Sequence, residues 1–237
     1  MLTPEAIEKI LELKKEDVIE VDGRSYATCE LRAVRDPQIP NLCLHTLTGL
    51  VDYINSGMDK EHPSYSTRVI QIVSPVDVKV ITPPAGPFRD RQVFASVGAA
   101  LYSGKDMIGN FIPVEEFIIW LQGSFLRTPA RDELLKLVSN IKDEAIRTSN
   151  DDGFSQQVTV KAGAALVRTA EIKNPFNLKP YRTFREIDQP ASDFVLRVRP
   201  GISCALISTD GDQWKLDAIQ GIRDYLNTEL PDETILA

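Results

Sequence analysis

With 237 residues, 43% of them apolar and 26% charged, the chain carries enough apolar mass for a sizeable core and fits one large domain or two small ones. A formal charge of -7 disfavours nonspecific adsorption to nucleic acid, although it leaves room for a local basic surface. No Gly/Ser-rich linker, low-complexity tract or fixed-period repeat divides the chain, so a single α+β domain over 1–237 is expected, with 1–40 as a peripheral helix plus hairpin.

The opening stretch "MLTPEAIEKILELKKED" is charged throughout and lacks the apolar run of a signal peptide. No other stretch reaches membrane-spanning length, which predicts a cytoplasmic protein without a membrane partner. Thr3-Pro4 reads as a helix cap followed by proline at the first helical position, with Ile7, Ile10 and Leu11 on one face of a helix ending near Lys15. In "DVIEVDGRSYATCELRAV" the pair Asp22-Gly23 supplies the turn of a hairpin. "HTLTGLVDYINSG" is a second helix, capped by Thr46 or Thr48, buried through Leu47, Leu50, Val51 and Ile54, and stopped by Gly57. "TRVIQIV" and "VDVKVIT" alternate as strands around Ser74-Pro75, and the prolines at 83, 84 and 87 end them.

A central helical block follows at about 113–148. "VEEFIIWLQGSF" is apolar all round, which predicts burial on more than one face. Thr128-Pro129 repeats the cap-plus-proline start, and Leu134, Leu137, Val138, Ile141 and Ala145 predict one buried face of a helix reaching about Arg147, with Asp132 to Lys136 and Asp143 to Arg147 as i,i+4 pairs. Beyond Ser155 the period drops to two, through Val158 and Val160, then Phe194, Leu196 and Val198, then Ile202, Cys204 and Leu206. This is largely antiparallel sheet, with turns at Pro200-Gly201 and Asp210-Gly211. "DQWKLDAIQGIRDYLN" closes the chain as a C-terminal helix through Leu216, Ile219, Ile222 and Leu226, unless Trp214 and Leu216 finish a hairpin first.

Three cysteines, Cys29, Cys43 and Cys204, have no CxxC spacing and read as small buried hydrophobes, not as a disulfide or zinc set. His45 and His62 stand apart from any GxSxG or cysteine motif, and no GxxxxGK[ST] or GxGxxG occurs, so no cofactor is expected. At the junction "SNDDGFSQQVTVKAGAALV", Asn150, Asp151 and Gly153 suit a helix stop and turn. "DDGFSQQVTVKA" lacks the alternating oxygen ligands and terminal Glu of a calcium loop. The enzymatic alternative is a metal-dependent nuclease in which Asp152 joins Glu171 and Lys173 of "EIK"; "DVK", Asp77 to Lys79, is a similar triplet.

The most suggestive feature is a basic stretch from Lys161 to Arg199, where eight cations face four anions in an acidic chain. Phe176, Tyr181 and Phe184 are interleaved with Lys179, Arg182 and Arg185, and Arg197 and Arg199 share the strand face opposite Phe194, Leu196 and Val198. Cations beside aromatic platforms suit single-stranded nucleic acid, phosphates pairing with the former and bases stacking on the latter. The same residues also fit an aromatic core with a solvated cationic face.

Through "VEEFIIWLQGSF", "LLKLVSNIKDEAIRTSNDDGFSQQVTVKAG", "NPFNLKPYRTFREIDQP" and "DGDQWKLDAIQGIRDYL" the chain resembles a family of uncharacterised proteins encoded by phages and prophages of Gram-positive bacteria. It is more distantly similar to the YfdQ-like prophage proteins. The resemblance implies an intracellular phage product and carries over no catalytic residue. The expected function is non-enzymatic binding: handling of single-stranded nucleic acid through Lys179, Tyr181, Arg182, Arg185, Arg197 and Arg199, or capture of a host protein. Exposed strand edges add an expectation of homo-oligomers.

Overall fold

Local capping chemistry sets most helix starts. In the computed structural model, which describes residues 3–13, 18–21, 24–27, 39–85, 89–101, 107–141, 156–161, 167–199 and 203–237, helix α1 (Pro4–Leu13) starts at Thr3, whose Oγ1 accepts the Ala6 N–H at 3.3 Å. Strands β1 (Val18–Val21) and β2 (Arg24–Ala27) pair antiparallel, with Val21 opposite Arg24. The expected turn residues Asp22 and Gly23 lie outside the described residues. Residues 1–38 form one compact unit and 39–237 another. On α1, Ile7 and Ile10 are 47% and 50% exposed.

The larger unit holds a five-stranded and a four-stranded mostly antiparallel sheet and one separate two-stranded pair, an α+β fold. Strand β3 (Leu42–Leu44) leads to α2 (Leu47–Ser56), where Thr46 is the cap and accepts the Gly49 N–H at 3.0 Å. Gly57 ends that helix at φ +59°, a left-handed angle that costs glycine little. Thr46→Ala is expected to lower stability by about 1 kcal/mol, read as a shifted urea midpoint at constant slope.

Strands β4 (Val69–Ser74), β5 (Asp77–Ile81) and β6 (Val93–Gly98) then form the antiparallel centre of a five-stranded sheet. β3 joins its far side parallel to β6. The opposite edge is β13 (Ile235–Leu236), parallel to β4. Arg68 anchors that edge: its guanidinium lies 4.0 Å from the Tyr65 ring centroid and pairs with Glu233. The first core packs Leu50, Ile54, Ile70, Val80, Phe94 and Val97 against Ile222 and Leu226 of α5 (Gln213–Glu229).

The second sheet runs β10 (Phe176–Leu178), β11 (Ser192–Arg199), β12 (Ser203–Ser208), β7 (Ile112–Pro113), all antiparallel. The Asn174 amide extends the β10–β11 pairing, donating to the Leu196 carbonyl at 3.3 Å and accepting the Leu196 N–H at 2.8 Å. Helices α3 (Val114–Ser124) and α4 (Pro129–Ser139) supply Phe117, Trp120, Leu121, Leu134 and Val138 to the second core, against Phe194, Leu196, Val198 and Leu206. Strands β8 (Gln156–Lys161) and β9 (Val167–Ile172) form a separate antiparallel pair.

Several expectations are corrected. α3 buries one face, 117, 120 and 121, while Ile119 is 66% exposed. α4 starts at the Thr128 cap, which accepts the Arg131 N–H at 3.2 Å, but it ends at Ser139 instead of reaching Arg147. Asn140 stops it: the side-chain amide donates to the Lys136 carbonyl at 2.7 Å, and the chain tightens into i,i+3 bonds. Asp132 pairs with Arg127 and Arg131, not with Lys136. Residues 142–155, including Ala145, Asp143 and Arg147, lie outside the described residues, as do Pro200, Gly201 and Ile202. α5 is helical from Gln213, which removes the hairpin alternative, and Leu216 is exposed on it.

Cys204 is buried, and burial pushes its thiol up to about 12. Cys43 is exposed, contrary to expectation, and Cys29 is not described. Both sheets end in strands of two or three residues, a device that blunts edge-to-edge pairing. Among the described residues no helix is long and apolar enough to cross a membrane.

Candidate binding site

The stretch "NLKPYRTF" is the strap between the two cores. Leu178 is buried in the second core and Phe184 in the first, so both ends of the strap are held by apolar burial. Between them the chain pairs with the end of α3: the Tyr181 N–H donates to the Ser124 carbonyl at 2.8 Å, and the Leu126 N–H to the Lys179 carbonyl at 2.8 Å. Thr183 donates its hydroxyl to the Pro75 carbonyl at 2.6 Å, and Glu186 accepts the Thr48 N–H at 3.3 Å. A Cβ at Gly221 of α5 would lie 3.2 Å from Ile187 Cδ1, so the missing side chain lets the strap approach the helix closely.

Arg182 points inward. Its guanidinium donates to Ser192 Oγ, which in turn donates to Asp210 Oδ2; the direct Arg182–Asp210 separation is 3.8 Å, and both side chains are 12% exposed. Ser208 donates to the other Asp210 oxygen at 2.7 Å, and the Asp212 N–H to the same oxygen at 3.2 Å. Burial alone would raise the Asp210 pKa. The hydrogen bonds from Ser192, Ser208 and the Asp212 amide, together with the Arg182 charge, outweigh it and hold the carboxyl below its usual range. Arg182 also lies 4.1 Å from the centroid of the Trp214 ring.

Beside this network is a cavity of about 440 Å³. Trp120 and Phe125 line it from α3 and its end, Pro180, Tyr181 and Arg182 from the strap, and Trp214, Lys215 and Asp212 from the start of α5. Val76, Leu101 and Ile108 complete the apolar wall, with Ser124 and Ser208 as hydroxyls. Both tryptophans of the chain face this one space. Trp120 is wedged edge-on against Phe125, with centroids 5.1 Å apart and planes at 88°, and Phe125 against Phe194 at 5.9 Å and 77°. That contact row ties the wall to the second core. Asp212 sits at φ +67°, and its carboxylate accepts from Lys215 Nζ at 2.7 Å, which holds its pKa below the usual range.

The residues expected to contact nucleic acid fall into three places. Tyr181 and Arg185 stay together at the strap, with the Arg185 guanidinium 3.7 Å from the Tyr181 ring centroid, while the Lys179 carbonyl accepts the Leu126 N–H. Arg182 is drawn into the network above. Arg197 and Arg199 lie on β11 opposite Phe194, Leu196 and Val198, as alternation requires; since Leu178 stands opposite Ser192, Arg199 is seven positions further, roughly 23 Å along the strand. Arg199 lies over the Phe111 ring at 3.7 Å. Phe176 and Phe184 are core residues, not platforms.

For the nuclease alternative, Asp151 and Asp152 lie outside the described residues, Glu171 sits on β9 and Lys173 is exposed. Asp77 and Lys79 approach to 3.8 Å, and the strand partners of Lys79 are Gln71 and Ser96, which bring no further carboxylate. Among the described residues no three His, Cys, Asp or Glu side chains cluster as metal ligands. His62 is used locally, its Nδ1 accepting the Ser64 N–H at 3.2 Å and its ring packed edge-on against Phe94. Residue spacing did not single out Trp120, Ser124, Asp210, Asp212 or Trp214. With only two tryptophans in the chain, their rarity is a signal that could have found Trp120 and Trp214. No protein-family model, curated protein or solved structure matches the chain.

Proposed function

We propose that the chain is a non-enzymatic binding protein, phage-encoded as the resemblance implies, that contacts single-stranded nucleic acid through the strap and assembles as a homo-oligomer. The observation that carries the reading is the Arg185 guanidinium seated on the Tyr181 ring, which also lines an aromatic cavity, with Lys179 two positions before Tyr181 in the chain. Cations there neutralise phosphates while ring faces take bases. Arg197 and Arg199, roughly 17 and 23 Å along β11 from the Leu178 pairing, lie within the reach of a single strand a few nucleotides long.

Anisotropy of a labelled oligothymidine at low salt tests this. Affinity is expected to fall steeply with salt, and the double variant Lys179→Glu, Arg185→Glu should weaken binding equally for all sequences and flatten the salt slope by about 0.7 per lost phosphate contact. Absence of binding at low salt, or binding indifferent to the reversals, rejects the reading and favours capture of a host protein. Sedimentation giving only a 26.4 kDa species rejects the oligomer.

A further inference from the structure

We infer that the cavity between the two cores is a seat for one unpaired nucleobase, supplied either by a free nucleoside or by a single strand held on the strap. The inference deepens the nucleic-acid reading and rests on it for the choice of ligand. Size is the first argument: about 440 Å³ lies within the range of pockets that enclose a small organic ligand, and it has room for a base with its sugar.

Wall chemistry is the second. Trp120, Tyr181 and Trp214 come from three different elements, so three aromatic side chains line one space. They are held in place beforehand: Trp120 by its edge contact with Phe125, Trp214 by the Arg182 guanidinium, and Arg182 by Ser192 and Asp210. A ligand that stacks there spends little free energy on ordering the protein.

Charge and hydrogen bonding narrow the class further. Arg182 is matched by Asp210 and Lys215 by Asp212, so the walls offer no surplus charge to a carboxylate or phosphate inside the cavity. An acyl chain would leave the polar wall unmatched. Ser124 lines the cavity, and its hydroxyl, buried just behind the wall, has no hydrogen-bond partner among the described residues, so a small side-chain rotation would offer it to the donor and acceptor edge of a base. An uncharged planar ring with a polar rim satisfies all of these conditions together.

Because both tryptophans line the cavity, their emission reports its occupancy. Adenosine, cytidine and thymidine, titrated separately into the full chain with excitation at the red edge of indole absorption, are expected to quench emission saturably, while ribose does not. Ser124→Ala, which removes only the hydroxyl, should weaken nucleoside binding on the order of tenfold without moving the melting temperature, and Trp214→Ala should abolish it. Failure of every nucleoside to quench or to give calorimetric heat at millimolar concentration overturns the inference. If an oligonucleotide then still binds without altering the emission, the surface reading survives alone. If nucleosides bind and oligonucleotides do not, the cavity assignment stands and the strand-binding reading falls.

Discussion

Val138→Asp is expected to unfold the second core. Val138 is 1% exposed on α4 and packs in the cluster with Trp120, Leu134 and Phe194, so the new carboxylate has neither water nor a partner. Burying an unpaired carboxylate costs several kcal/mol, and a loss above about 4 kcal/mol is a large share of the 5–15 kcal/mol that stabilises a typical domain. Circular dichroism and tryptophan emission at 25 °C should both show a denatured or molten second core. Two neighbouring substitutions calibrate the effect. Leu137→Asp, on a half-buried position, should cost less, and Ile119→Asp, on the open side of α3, should stay within about 0.5 kcal/mol. A Val138→Asp protein melting within a degree or two of the parent would show that α4 buries a different face.

Asp210→Ala comes next in size. It removes the carboxylate that receives hydrogen bonds from Ser192, Ser208 and the Asp212 amide, and it takes the Asp210 charge away from the nearly buried Arg182 guanidinium. Breaking such a pair from one side costs roughly 3 kcal/mol, read from the urea midpoint at neutral pH. The Trp214 environment should change with it, since Arg182 lies on that ring. Acid titration supplies an independent check. The folded pKa of Asp210 is depressed, so its contribution is fully present above the unfolded aspartate value near pH 3.9 and is lost as pH falls through the lower folded value. The parent should therefore lose stability on acidification below about pH 4, and Asp210→Asn should lose that part of the slope while showing little pH dependence from this site near neutrality. An unchanged acid slope in Asp210→Asn would place the titrating carboxyl elsewhere.

The two variants separate the roles that the basic stretch was expected to combine. Reversing Arg182 to Glu acts on the Asp210 network and so on folding, whereas reversing Arg185 acts on an exposed cation. Their side chains are three positions apart in one short segment, and nothing local distinguishes them. What distinguishes them is Asp210, contributed by the turn after β12.

Features set by neighbours within a few residues were legible in the amino-acid order. Thr3, Thr46 and Thr128 cap helices because a hydroxyl reaches the N–H three positions on, and Gly57 stops α2 because glycine alone takes the left-handed angle cheaply. β4 follows period-two alternation, which depends only on the pleat, whereas β11 and β12 keep the predicted inward residues but also bury Val195 and Ala205 between them. Tertiary structure decided the rest: the parallel edge strands β3 and β13, the exposure of Ile119 and Cys43, the burial of Phe176 and Phe184 in different cores, and the meeting of Trp120 with Trp214 around one cavity. Each of these turns on contacts between residues far apart in the chain, where the free energy comes from apolar area and paired charge brought together by the fold, and local order carries no record of which distant partner will arrive.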